Sequence, residues 1–445
     1  MSGSMNKKAA VVGAGISGLY ACYLLEKKGY DVDLFERSDK IGGRMCSERK
    51  SGFIIDRGFH VLQTGYPTAN RIFSYDLLGC KAFEPGALVI RPDPVKPKVW
   101  RFSDPFRRPL KGICSVLNLF TSPLNLMRVG LLRSKVSKIN DADVFQGDGQ
   151  STFKFLRSRG FTEPFIKRFF LPLFSGIFLE SDLRTDSRMF TFVFKNMSRG
   201  DMVLPENGIS AYPKQLYSML DNTELKLNTS VSQKSPNEIV VDNITYPYDI
   251  VIRAHSNAEN ISTRGVWTLY FSAPKSPLKE NYIMLNSSIS LADNLISHLA
   301  VPSDIQPSYA PTGKSLIAVT VVKDAAKKRG LNHPDEVESA VLQELKNWFP
   351  EHIRTWQTLD VQYISSALPD HNASHYDNLG SSSNVVNCGD FTFHGIAVPP
   401  LDQLEWFPTG YVPTPDLRGL TKALSRVYRE KTNNGAAARR AQKLI

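Results

Sequence analysis

Cysteine is scarce in this sequence: five residues in 445, an odd number with no repeated spacing, leave neither a disulfide framework nor a zinc motif. Cys22, Cys46, Cys80, Cys114 and Cys388 are expected as buried thiols of a reducing compartment. Long apolar runs are also missing, and nothing approaches the roughly 18 residues of a membrane span. Lys7 and Lys8 ahead of the uncharged run from Ala9 to Leu25 imitate a secretory leader. That run is too short for a span, and its glycines have another use. The expectation is a cytoplasmic protein, soluble or peripherally attached to a membrane. No Ser-His-Asp order, Cys-x-x-Cys pair or His-x-Glu motif is present, so no metal ligand set is assigned.

Acid is absent from one stretch. Between Pro105 and Asn140 lie seven basic residues (Arg107, Arg108, Lys111, Arg128, Arg133, Lys135, Lys138) and no carboxylate. Residues 416–445 hold eight basic and two acidic side chains. Together the two segments carry +13 of a net +11, leaving the remainder at −2. A general nucleic-acid binder would spread its charge differently, so no nucleic-acid partner is expected; local patches for an anionic surface fit better. In the first segment Leu117, Phe120, Leu124, Met127, Leu131 and Leu132 alternate with the cations, which predicts an amphipathic surface for anionic lipid. Pro123 divides it into two short helices. Solvated charge and an ordinary lid remain open alternatives.

What is present begins at once. Ala9–Val12 reads as a buried strand, Gly13-Ala14-Gly15-Ile16-Ser17-Gly18 follows it, and Leu19–Lys28 reads as a helix closed by Gly29. Asp31–Phe35 alternates as a second strand and ends on Glu36, with Arg37 next. In such a βαβ unit the first glycine permits the turn and the second admits a pyrophosphate. The third lets helix and strand pack closely. The helix N-terminus faces the phosphates, and the acid accepts from ribose hydroxyls. Strand, helix and terminal acid together make a weak six-residue pattern strong.

Ile41-Gly42-Gly43-Arg44 comes directly after, with Gly52, Asp56, Gly58, Phe59 and His60 beyond it. Here the sequence resembles the flavin-containing amine oxidase superfamily, in its phytoene desaturase and protoporphyrinogen oxidase-like branch. The resemblance places Gly42, Gly43 and Arg44 at the pyrophosphate and Gly58, Phe59 and His60 near the flavin. It extends through Phe165–Leu179, Ser187–Phe190, Leu204–Ile209, Asp249–Ala254, Tyr309–Lys314 and Ala367–Pro369 to the Gly389-Asp390 pair, whose aspartate meets the ribityl–phosphate region in the family. Val231, in a strand from Leu225, would lie near the adenine. The resemblance implies one non-covalent FAD and an α/β fold. A discontinuous Rossmann-type FAD-binding domain (1–85, 203–258, 380–415) is interleaved with an α+β substrate domain (86–202, 259–379), and a basic tail (416–445) follows.

The sequence departs from the family after Asp390. Where the family carries a flavin-capping helix, Pro399, Pro400, Pro408, Pro413 and Pro415 forbid one. The reading is that residues after about 396 contribute little to the site, through divergence or a shift of reading frame. The resemblance implies hydride transfer from an apolar, isoprenoid or polyene substrate to flavin N5, which needs no acid–base residue. No catalytic residue is assigned: His60 reads as packing and Lys314 as part of a turn. A flavin amine oxidase and a flavoprotein scaffold without turnover stay open. Eight phenylalanines between 165 and 194 suggest either an apolar cavity or plain core.

Overall fold

The computed structural model describes residues 7–372 apart from 105, 109–121, 142, 146–147, 256–261 and 289–293, and the backbone of 386–387. Strand β1 (Lys7–Val12) is followed by helix α1 (Ile16–Glu26) and strand β2 (Tyr30–Phe35). β1 is buried from Ala9 onward, as an all-apolar run inside a parallel sheet must be. Five parallel strands line up as Thr223–Lys226, β2, β1, Ile250–Arg253 and Val386–Asn387. In chain order this is 3-2-1-4-5, the doubly wound arrangement whose order reverses beside β1. Ligands of such sheets bind at the strands' C-terminal ends, at that reversal. The fold is α/β.

Nearly every face of α1 is apolar and covered: Leu19, Ala21, Cys22 and Leu25 are fully buried, between the sheet and helix Ala211–Tyr217. The sheet's third strand closes at Lys226. Val231 therefore lies outside it, at the start of an antiparallel meander of Ser232–Ser235, Glu238–Val241 and Ile244–Pro247. Asn228, with φ +53°, turns the chain there: its N–H donates to Ser38 O and that of Thr229 to Glu36 O. Val231 packs beside Ala10, Phe35, Ile239 and Val251.

A second, seven-stranded sheet runs Gln357–Pro369, Thr263–Ala273, Ser315–Val322, His298–Ala300, Ile283–Asn286, Gly86–Arg91 and Lys98–Ser103. Of its pairings only Ile283–Asn286 with Gly86–Arg91 is parallel. Chain segments alternate between the two sheets. The phenylalanine-rich stretch forms helices across residues 163–178 and 187–199, with a wider π turn at Ile166–Phe170. Phe165, Phe170, Phe174, Phe178, Phe190 and Phe192 are buried against one another and neighbouring rings. Most of this cluster is thus core. Cys22 and Cys46 are buried and Cys80 is half-buried; Cys114 and Cys388 lie outside the described residues.

Candidate flavin site and adjoining cavity

Gly13 leaves β1 with its N–H on Phe35 O at 2.7 Å, so the turn is pinned to the end of β2. At Gly18 a Cβ would lie 1.8 Å from Gly13 O, which makes glycine a condition for α1 to reach β1. At Gly15 a Cβ would meet nothing within 4 Å. The backbone there is extended (φ −71°, ψ 176°), a conformation any residue adopts. The peptide chain therefore does not require glycine at 15, and the space in front of it, at the sheet's reversal point, is open.

The second glycine pair folds against the first. Gly15 and Gly42 form a parallel bridge, Gly42 N–H donates to Ala14 O at 2.8 Å, and a Cβ on Gly43 would come within 3.3 Å of Gly15 Cα. Two motifs well separated along the chain thus share one backbone surface at the sheet's reversal point. The Glu36 carboxylate is buried beside it. Oε2 accepts from Ala14 N–H at 2.8 Å, and Oε1 from Ser38 N–H at 2.9 Å and Ser38 Oγ at 2.8 Å. Ala14 is buried, Ser17 half-buried and Arg37 exposed. Asn387 pairs with Arg253, so that strand ends at the same sheet edge as Val12. Gly389, Asp390, the proline-rich stretch and the basic tail lie outside the described residues.

Arg44 donates to Ala367 O at 2.5 Å, joining the glycine pair to the end of strand Gln357–Pro369. Between them is a cavity of about 20 Å³ walled by Arg44, Arg57, Gly58, Phe59, His60 and Thr268, among others. Gly58 N–H donates to Gln362 Oε1 at 2.8 Å, and His60 Nδ1 lies 3.0 Å from Gly58 O. Burial, aided by the charges of Arg44 and Arg57, pulls His60 down to about 4, so it is neutral at pH 7. Asp56 anchors the segment: it accepts from Ser47 Oγ (2.6 Å), Ile209 N–H (3.0 Å) and Tyr309 OH (3.0 Å). Its burial outweighs these bonds and pushes it up to about 6. Thr268 Oγ1 is buried on the cavity wall without a partner. Nothing in the local sequence singles out Thr268. Lys314 is exposed, closing a turn onto Pro311 O.

A larger cavity, about 150 Å³, lies between strands Gly86–Arg91 and Lys98–Ser103, helix Pro123–Ser137 and the ends of the phenylalanine-rich helices. Phe83, Phe102, Phe106, Phe169 and Phe194 are on its wall, so only two of the eight phenylalanines take part. Helix Pro123–Ser137 turns Leu126, Val129 and Gly130 to the cavity and exposes Leu124, Met127 and Leu131. Pro123 starts this helix. Three of the basic residues expected to face an anionic surface are instead paired with acids. Arg107 binds Asp201, Arg108 binds Glu84 at 3.3 Å, and Arg133 binds Asp104. Those acids lie outside the acid-free stretch, so a linear charge count missed them. Lys111, Leu117 and Phe120 lie outside the described residues. No helix among the described residues is long and apolar enough to cross a membrane.

A doubly wound sheet, a glycine turn at its reversal point, a buried acid closing the next strand and a second glycine pair folded onto the turn together define a dinucleotide-binding fold. A family profile described as flavin containing amine oxidoreductase matches residues 16–254 and 247–398, and the chain belongs to that family. Among similar curated proteins, 4,4'-diapolycopen-4-al dehydrogenase of Metabacillus indicus is 47% identical over 51 residues, 12% of this chain and 10% of that one. Protoporphyrinogen oxidase 2 of Arabidopsis thaliana is 31% identical over 140 residues, 31% of this chain and 26% of that one. The matched segments thus span between a tenth and about a quarter of these relatives. An oxidoreductase from Methanosarcina mazei has a similar fold, with a TM-score of 0.62 at 20% identity over 81% of this chain and 88% of that one. So does reduced UDP-galactopyranose mutase, at 0.58 and 15% over 84% and 86%.

Proposed function

We propose that this chain is an FAD-dependent oxidoreductase that binds its flavin non-covalently and oxidises an apolar substrate of isoprenoid or polyene type. The observation that carries the cofactor assignment is the open space at Gly15, on a turn that Gly42 and Gly43 pack against and whose Ala14 N–H is held by the Glu36 carboxylate. When bound, the flavin supplies a hydride acceptor. The N-terminus of α1 and the glycine turn would hold its diphosphate and Glu36 its ribose. Arg44 would add a fixed positive charge. Neutral His60 with Phe59 would exclude water beside the reacting ring. The aromatic cavity supports an apolar substrate, since most of its polar wall side chains are tied up in ion pairs or hydrogen bonds within the protein.

Purified protein should be yellow, and acid precipitation should leave FAD in the supernatant; flavin retained in the pellet would overturn non-covalent binding. Glu36→Ala should weaken FAD by about 1.5–3 kcal/mol. Anaerobic addition of a polyene substrate should bleach the flavin. Bound flavin that no candidate bleaches would favour a scaffold without turnover.

We also propose that the exposed face of helix Pro123–Ser137 meets an anionic bilayer. Leu124, Met127 and Leu131 form one stripe, with Arg128 and Lys135 on the same helix and Lys138 at its end. In liposome flotation the chain should rise with vesicles containing anionic lipid and much less with neutral ones. Equal recovery in the soluble fraction with both would remove this reading.

A further inference from the structure

Arg57 follows strand Phe53–Asp56 and is exposed. Its N–H donates to Cys46 O at 2.8 Å, which carries the pairing with Ser47–Lys50 one residue past the strand. Side chains alternate along such a ladder. Asp56 turns to Ser47, Ile209 and Tyr309, so Arg57 turns the other way, and it stands on the wall of the smaller cavity. Its charge acts on two groups: it helps to lower buried His60, and it opposes the rise that burial gives the Cys46 thiol. Cys46 Sγ in turn donates to Gly43 O at 3.0 Å. The guanidinium is therefore within electrostatic reach of His60 in the cavity and of the thiol beside the glycine pair. Arg57 makes no hydrogen bond or ion pair among the described residues.

An exposed arginine is ordinarily left to water. This one shares its wall with a second cation, Arg44, and with no carboxylate among the described residues, while His60 is neutral. A wall so charged favours an anion. We propose that Arg57 is a catalytic residue that stabilises the negative charge a flavin ring gains on accepting a hydride. A hydride brings two electrons and one proton, so the neutral ring that takes it from a substrate C–H bond becomes an anion. The substrate releases a second proton to solvent from the adjacent carbon as its double bond forms. A guanidinium keeps its charge throughout, and its fork of donors suits a planar anionic edge. This rests on the flavin reading, with the ring beside Gly58, Phe59 and His60, and adds the residue that makes the bound flavin a stronger oxidant.

The test needs no substrate. Sulfite adds to an oxidised flavin and leaves the ring with one negative charge, so its dissociation constant reads the charge around the ring. The midpoint potential of the flavin-loaded protein reads the same charge independently. In Arg57→Met, sulfite should bind about tenfold more weakly than in wild type. The midpoint potential should fall by about 30 mV, the two-electron equivalent of tenfold. Affinity for oxidised FAD should stay within about threefold of wild type, and so should the sulfite affinity of Arg57→Lys, which keeps the charge. Arg57→Gln carries the same comparison if the methionine variant fails to fold. Sulfite affinity and potential unchanged in both neutral variants overturn the Arg57 assignment and leave the flavin reading standing. A tenfold loss of oxidised FAD with an unchanged potential also overturns it, since Arg57 then holds the diphosphate. Protein that stays colourless when incubated with FAD overturns the flavin reading and this proposal together.

Discussion

Alanine at Gly15 should give a folded protein with much weakened flavin binding, and alanine at Gly18 should give a protein that does not fold stably. A Cβ at 15 projects into space with no atom within 4 Å, on backbone that any residue adopts. Its cost to the polypeptide alone should be within about 0.5 kcal/mol. The space it fills is the space a diphosphate needs, and overfilling a fitted site costs about 2–3 kcal/mol, or roughly 30–150-fold in affinity. At Gly18 the same methyl group lands 1.8 Å from Gly13 O. Relief requires α1 to back away from β1, which opens contacts made by fully buried Leu19, Cys22 and Leu25. A loss above about 4 kcal/mol is expected. Thermal melting of the flavin-free proteins and titration with FAD separate the two effects. Native FAD affinity in Gly15→Ala would remove the diphosphate from this turn.

This part of the site was legible because its chemistry is local. The glycine turn, the helix behind it and Glu36 fall within one βαβ unit, where spacing alone decides which groups meet. The Gly42–Gly43 pair was legible through the family resemblance, and its backbone bridge to Gly15 is what makes the two motifs one surface. Elsewhere the pattern misled for physical reasons. The third strand reads as reaching Val231, but it ends at Lys226, and Asn228, in a left-handed turn, carries the chain away from the sheet. The basic stretch looked free of acid because Asp201 and Glu84 are brought to it only by tertiary folding. Thr268 has no sequence signal, since an orphaned polar atom is defined by what the folded chain fails to place beside it.

Arg264→Ala should be the most damaging single change outside the glycine turn. The guanidinium is buried where three segments converge. Nη1 donates to Phe178 O (2.8 Å) and Thr185 Oγ1 (2.7 Å) and pairs with Glu180 at 3.2 Å, while Nε donates to Asp370 at 3.0 Å. Glu180 is fully buried and also accepts from the N–H groups of Arg184 and Thr185. Burial pushes the Glu180 carboxyl up, and the Arg264 charge is the chief force opposing that rise. Taking the cation away leaves a buried carboxylate uncompensated, a loss of about 3–5 kcal/mol. Glu180, already raised in the wild type, then has a folded pKa still further above its unfolded one. Such a group stabilises the protein below the unfolded value, and that contribution is lost as pH rises through the folded value. The deficit relative to wild type should therefore be larger at pH 8 than at pH 5, measured by thermal or urea unfolding. Adding Glu180→Gln should recover part of it and flatten the pH dependence. The consequence reaches both cavities, because this cluster ties helix Leu171–Phe178, whose Leu173 walls the larger one, to strand Gln357–Pro369, whose Ile364 and Ala367 wall the smaller. A deficit that does not change with pH would mean that Glu180 is protonated in wild type and that Arg264 acts through its hydrogen bonds alone.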